Sequence, residues 1–169
     1  MTFGEQVLAT LVGSIAGFLF AIALFYLREK ITGKRVKKNI AKCLKREFQY
    51  NLNLIEEWIQ TVDRILQKIT VQDYKIFDYL RYSSYQRFYL YQSFQFGVLY
   101  DFFNNEDVKI ISDIENHLNI NVEQYINFFI DRWKREDIGQ REIHSAFDFQ
   151  KQSLQREKRQ LEGLFVKLK

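Results

Sequence analysis

The stretch ATLVGSIAGFLFA, Ala9–Ala21, decides how the whole chain is read. It lies inside Gln6–Leu27, a run of 22 residues without a charged side chain. At about 1.5 Å per residue such a helix covers about 33 Å, enough for a bilayer core of about 30 Å. A buried helix of a soluble domain rarely stays uncharged for so long. The run is therefore expected to be a transmembrane helix. Within it, AIA (Ala21–Ala23) resembles the small-residue site at which signal peptides are cut. The preceding flank, however, holds Glu5 and no Lys or Arg, whereas signal peptides begin basic. An uncleaved anchor is the expected form.

The positive charge follows the run. Nine Lys/Arg lie between Arg28 and Arg46 against the single acid Glu29, a balance of +8. The chain totals +4, so with Glu5 counted, residues 47–169 carry −3. By the positive-inside rule the N-terminus is expected outside and the C-terminal bulk in the cytoplasm, as in a single-pass protein of a bacterial inner membrane. Arg28, Lys30, Lys34, Arg35, Lys37 and Lys38 are the candidate contacts for anionic lipid headgroups. Each basic residue near such a surface is worth about 1 kcal/mol. The same charges would also serve nucleic-acid phosphates, but their position against the membrane favours lipid.

Small residues recur every fourth position at Ala9, Gly13, Gly17 and Ala21. In lipid, helices associate through close backbone approach, for which the GxxxG spacing of Gly13 and Gly17 leaves room. Gln6, Thr10 and Ser14 sit beside this ladder and hold most of the segment's polarity. Gln6, Ala9, Thr10, Gly13, Ser14, Gly17 and Ala21 together are expected to face another copy of the chain. In a ring of copies the same side would line a narrow lumen, and both readings stay open.

Beyond the membrane the composition favours long helices. There is no proline and there are seven glycines among 169 residues. Cys43 is the only cysteine, which excludes an intrachain disulfide, and with two histidines it leaves little for a zinc site. No metal or cofactor is expected. Val36, Ile40, Leu44, Phe48, Leu52, Ile55, Ile59, Val62, Leu66 and Ile69 recur at three- and four-residue steps, the mark of one long amphipathic helix. Residues 70–103 include YSSYQRFYLYQSFQFGVLYDFF (Tyr82–Phe103), where local alternation suggests a strand, but an isolated strand would need a partner. A helical face of Tyr85, Phe88, Tyr89, Gln92 and Phe96 is the expected arrangement, its aromatics filling a core.

Three further helices are expected. Asn105 caps one bearing Val108, Ile111, Ile114 and Leu118. Asn121, with Gln124 three residues on, resembles a capping box before Tyr125, Phe128, Phe129 and Trp133, and Gly139 ends that helix. The last carries Ile143, Phe147, Leu154, Leu161, Leu164 and Leu168, with QREKRQLE (Gln155–Glu162) as its solvated face. The expected fold is all-α: a single N-terminal transmembrane helix (1–27), a basic neck (28–46) and a cytoplasmic antiparallel helical bundle (47–169).

Standard catalytic spacings are missing: no phosphate-cradling glycine loop, no nucleophile elbow, no HExxH. Arg141, His144 and Asp148 fall at i, i+3 and i+7 of one helix face. An imidazole between a cation and a carboxylate can act as a general acid or base, although such trios are more often surface networks. A non-enzymatic protein is expected.

GSIAGFLFAIALFYLREK (Gly13–Lys30), followed by a Tyr/Phe-rich helical region, resembles the single-span accessory proteins encoded beside the RNA-guided RNA nuclease of type VI-B CRISPR systems. The resemblance implies a homo-oligomeric membrane assembly, with a pore as one form of it, that alters permeability in bacterial anti-phage defence, working alongside an RNA-guided nuclease. It also implies a relation to HEPN ribonucleases, whose motif is Arg, four to six residues, then His. Only two residues separate Arg141 from His144, and no arginine stands at the required distance before His117. The alternatives are a membrane-tethered RNA-binding or HEPN-like ribonuclease domain, and a passive membrane scaffold for a protein partner.

Overall fold

The computed structural model describes residues 3–76 and 78–168, with side chains described from Phe18 onward. Its helices are α1 (Phe3–Thr70), α2 (Phe88–Gln95), α3 (Asn105–His117), α4 (Ile120–Lys134) and α5 (Gln140–Lys167), with 3-10 turns at Tyr82–Ser84 and Leu99–Asp101. No strand occurs among the described residues, so the fold is all-α. The chain divides into two units, 1–40 and 41–169. The described residues of the first belong to α1, and every described side chain from Phe18 to Asn39 is exposed. Gly33 lies inside the helix with open space where a Cβ would stand.

In the second unit the expected stripe on α1 is the core. Leu44, Phe48, Ile55, Val62 and Ile69 are buried, joined by Trp58 and Ile65, while Leu66 is only partly covered. Val36, expected on the same stripe, is exposed. Helix α5 packs along α1 in antiparallel register. Gln140 donates to the Ile69 carbonyl, Lys151 pairs with Asp63 at 2.6 Å, and Lys158 pairs with Glu56 at 2.7 Å. Seven residues forward on one helix match seven back on the other, so both pairs recur on the same sides after two turns. Helix α3 runs antiparallel to α5 as well, with Asp107 against Lys167 at one end and His117 against Glu157 at the other.

Residues 73–76 and 78–87 depart from the helix expected over 70–103. They run as irregular chain around the short turn Tyr82–Ser84, and the helix begins only at Phe88. Side chains of α1 and α4 supply the backbone partners that a neighbouring strand would otherwise give. The Asn127 amide donates to the Leu80 carbonyl at 2.8 Å and accepts from the Leu80 N–H at 3.0 Å. Asn51 does the same for Gln86, at 2.8 and 2.9 Å. Glu123 accepts from the Ser83 N–H, and the indole of Trp133 donates to the Asp73 carbonyl. The buried Glu47 carboxylate accepts the N–H groups of Tyr89 and Leu90, capping α2 from another helix.

This pinning decides which aromatics enter the core. Ile76, Leu80, Tyr82, Tyr85, Leu90 and Leu99 are buried, whereas Phe88 and Phe96 of the expected face are exposed. Tyr82 meets Trp58 edge-on at 4.8 Å between ring centroids, and Phe103 stacks on Phe48 at 6.0 Å. On α4 the buried side is Ile126, Ile130 and Trp133, leaving Tyr125 and Phe128 of the expected face outward.

Helix ends also differ from expectation. Asn104, not Asn105, caps α3 in a capping box with Asp107. Asn119, not Asn121, caps α4. Helix α4 stops at Lys134 because Glu136 adopts φ 60°, and Gly139 instead precedes α5 as its N-cap. The Asp137 N–H bonds Arg132 O and the Glu136 N–H bonds Trp133 O, a Schellman ending without glycine. Helix α1 ends the same way at Gln72, φ 55°.

Asn51→Ala removes both partners of the Gln86 backbone at a site 1% exposed. It is expected to lower unfolding free energy by about 2 kcal/mol in denaturant titration, while Gln49→Ala on the exposed side changes it by less than about 0.5 kcal/mol. Asp107 gives a pH prediction. Burial opposes its ionisation, but the Lys167 ammonium and the Asn104 N–H outweigh this and hold the carboxyl below its usual range. A carboxyl so depressed stabilises the fold above its unfolded pKa and loses that contribution as pH falls through the folded value. Acid titration of thermal stability should therefore show a smaller fall for Asp107→Asn than for the parent, from a lower starting stability at neutral pH.

Candidate functional site

Phe18–Leu27 is the most unusual surface of the described chain. Phe18, Phe20, Phe25 and Tyr26 are 67%, 66%, 70% and 67% exposed, and Leu19, Ile22, Leu24 and Leu27 are each at least half exposed. Successive residues on a helix turn by about 100°, so these side chains point to every side. A helix apolar all round is normally surrounded, by protein or by lipid, and here no described part of the chain covers it. Among the described residues no helix is long and apolar enough to cross a membrane. The side chains of Gln6, Ala9, Thr10, Gly13, Ser14 and Gly17 lie outside the described residues, so the ladder's geometry is described only at Ala21, which is exposed.

The basic neck continues directly. Arg28, Lys30, Lys34, Arg35, Lys37 and Lys38 are all exposed. At about 100° per residue all six fall within one half of the helix circumference, with Glu29, Thr32, Gly33, Val36 and Asn39 on the other half. The neck lacks the usual supports of an isolated helix. Lys30, Lys34 and Lys38 stand at successive i, i+4 positions, and Arg35–Lys38 at i, i+3. Each like-charge pair of this kind costs about 0.2–0.5 kcal/mol. Glu29, the only acid, has Thr32 and Gly33 ahead and Tyr26 and Phe25 behind at pairing distance. Gly33 adds a penalty of about 1 kcal/mol relative to alanine.

The polar cluster expected on the last helix does not form a unit. Arg141 and His144 are exposed, Asp148 accepts from Gln152 at 2.9 Å, and among the described residues no hydrogen bond or ion pair joins the three. A different histidine anchors the polar network of the bundle. His117 places Nδ1 against Glu157 Oε1, and its Nε2 lies 3.4 Å from the Gln150 amide nitrogen, which also donates to the Tyr82 hydroxyl. Glu157, within the charge-rich run expected to be solvated, is 2% exposed, and its Oε2 has no hydrogen-bond partner. Burial raises the Tyr82 phenol far above its ordinary pKa, keeping it protonated. A cleft of about 400 Å³ opens beside the pair, lined by Asp113, Ile114, Phe149, Ser153, Arg156 and Gln160 as well as His117 and Glu157. Both ring nitrogens of His117 face protein groups, which leaves neither directed at the cleft as a free base.

Periodicity could have hinted at Glu157, which stands three residues after Leu154 and four before Leu161, on the buried side of α5. Its partner His117 is 40 residues away, and nothing in the local pattern points to it. Comparison of the chain with protein-family models, with curated proteins and with solved structures yields no match in any of the three.

The His117–Glu157 contact is expected to behave as a buried pair. His117→Ala strands the carboxylate and should cost about 3 kcal/mol in denaturant titration. Glu157→Gln removes the charge while keeping the shape, and should cost less than about 1 kcal/mol.

Proposed function

We propose that the protein is a single-span, self-associating membrane protein that holds a helical bundle at an anionic leaflet. One observation carries the reading: a helix surface apolar in every direction, Phe18–Leu27, exposed in the isolated chain and followed without a break by a stretch of exposed basic residues on one half of the helix. A lipid core suits the first part and a layer of anionic headgroups the second. The N-terminus is then outside and the bundle cytoplasmic, in a bacterial inner membrane. The position of the neck directly after the apolar run favours headgroups over RNA as its polyanion.

Self-association is the step that turns an anchor into an assembly. A single span has no second helix of its own to meet the Ala9–Gly13–Gly17–Ala21 side, so another copy is the natural partner. Altered permeability, in the defence setting implied by the resemblance to type VI-B accessory proteins, is the proposed output.

Replacement of Gly13 and Gly17 by Ile should leave the protein in the membrane fraction. The same change should reduce particle size in detergent to that of one chain and abolish depolarisation of expressing cells. Retention of both size and depolarisation would contradict the self-association.

A further inference from the structure

The neck raises a physical problem that its partner would solve. A charge-dense helix with no packing neighbour needs i, i+4 pairs of opposite sign to be stable, and this one has like-charge pairs instead. Every side chain from Arg28 to Asn39 is exposed. Among the described residues no ion pair involves Arg28, Lys30, Lys34, Arg35 or Lys38. Glu29 has no cation at helical pairing distance, and Gly33 weakens the middle. The neck lies within α1, where helical order extends residue by residue, so each like-charge pair and Gly33 weakens it and what lies around it sets its order.

We infer that helix formation over residues 28–39 is coupled to binding of an anionic lipid surface, so that the neck senses leaflet charge. Negative headgroups along the basic side of the helix neutralise the Lys30–Lys34–Lys38 ladder and remove the repulsion opposing the helix. Continuity with the apolar run Phe18–Leu27 favours a lipid surface over RNA as the polyanion. The inference rests on the membrane-anchored reading and adds that anionic lipid sets the order of the neck. A rigid neck would fix the bundle's orientation to the span; a melted one would release it.

The experiment is amide hydrogen exchange on the full chain in nanodiscs of phosphatidylcholine alone and of the same lipid with one-third phosphatidylglycerol. Protection over 28–39 should rise about tenfold with the anionic lipid, the ratio expected from relieving several like-charge pairs, while residues 44–69 stay unchanged. Lys34→Glu converts both steps of the ladder to opposite-sign pairs. It should raise protection in neutral discs and remove most of the lipid dependence. Equal protection of the parent chain in both discs overturns the coupling even if the chain inserts. Failure to enter either disc overturns the anchored reading and the coupling together. A rise of the same size on adding poly-uridine to neutral discs overturns the assignment to lipid.

Discussion

A helix that turns apolar side chains in every direction must be surrounded, and Phe18–Leu27 is such a helix. An amphipathic helix can settle its apolar side against one neighbour, as α1 does from Leu44 to Ile69. The same helix, some fifteen residues earlier, has no polar side to give to water. The change occurs through the basic neck, where apolar side chains thin out and positive charge gathers on one half of the helix. The proposed function follows from this sequence of surfaces: apolar all round, then exposed and basic on one side, then apolar on one side.

The bundle obeys a second constraint, that buried backbone polar groups find partners. Between α1 and α2 the described residues form no α-helix or strand ladder, yet Ile76, Leu80, Tyr82 and Tyr85 are buried. Asn51 and Asn127 each lend a side-chain amide that donates and accepts as a strand neighbour would, and Glu47 caps α2 from across the bundle. These contacts fix which aromatics of the Tyr/Phe-rich segment turn inward. Tyr82 and Tyr85 are held in, and Phe88 and Phe96 are left out. The antiparallel rungs between α1 and α5 and between α3 and α5 then close the unit.

Legibility follows the range of the interaction. The stripes of α1 and α5 are visible because burial repeats with the helical period, and Ile143, Phe147, Leu154, Leu161, Leu164 and Leu168 are all buried as that period predicts. Residues 73–87 are not legible, because their partners are side chains tens of residues away and no local pattern announces them. The ends of α1 and α4 are hidden by Gln72 and Glu136, which take a backbone conformation that favours glycine. Tyr125 and Phe128 mislead by size alone: Ile126, Ile130 and Trp133 sit on the side that packs. In the candidate site the charge pattern of the neck is plain from sequence, whereas its complete exposure is known only from the fold. The Arg141–His144–Asp148 spacing was suggestive on paper, but exposure of Arg141 and His144 leaves those groups to solvent.

The central claim is that the charge-free run crosses a bilayer, with the bundle on the cytoplasmic side. Its most direct test uses a membrane-impermeant maleimide on intact cells, with Cys43→Ser as background and single cysteines introduced as Thr2→Cys or Val71→Cys, the latter position 73% exposed. The account predicts labelling of the first before permeabilisation and of the second only afterwards. Labelling of both, or of neither, in intact cells would contradict it.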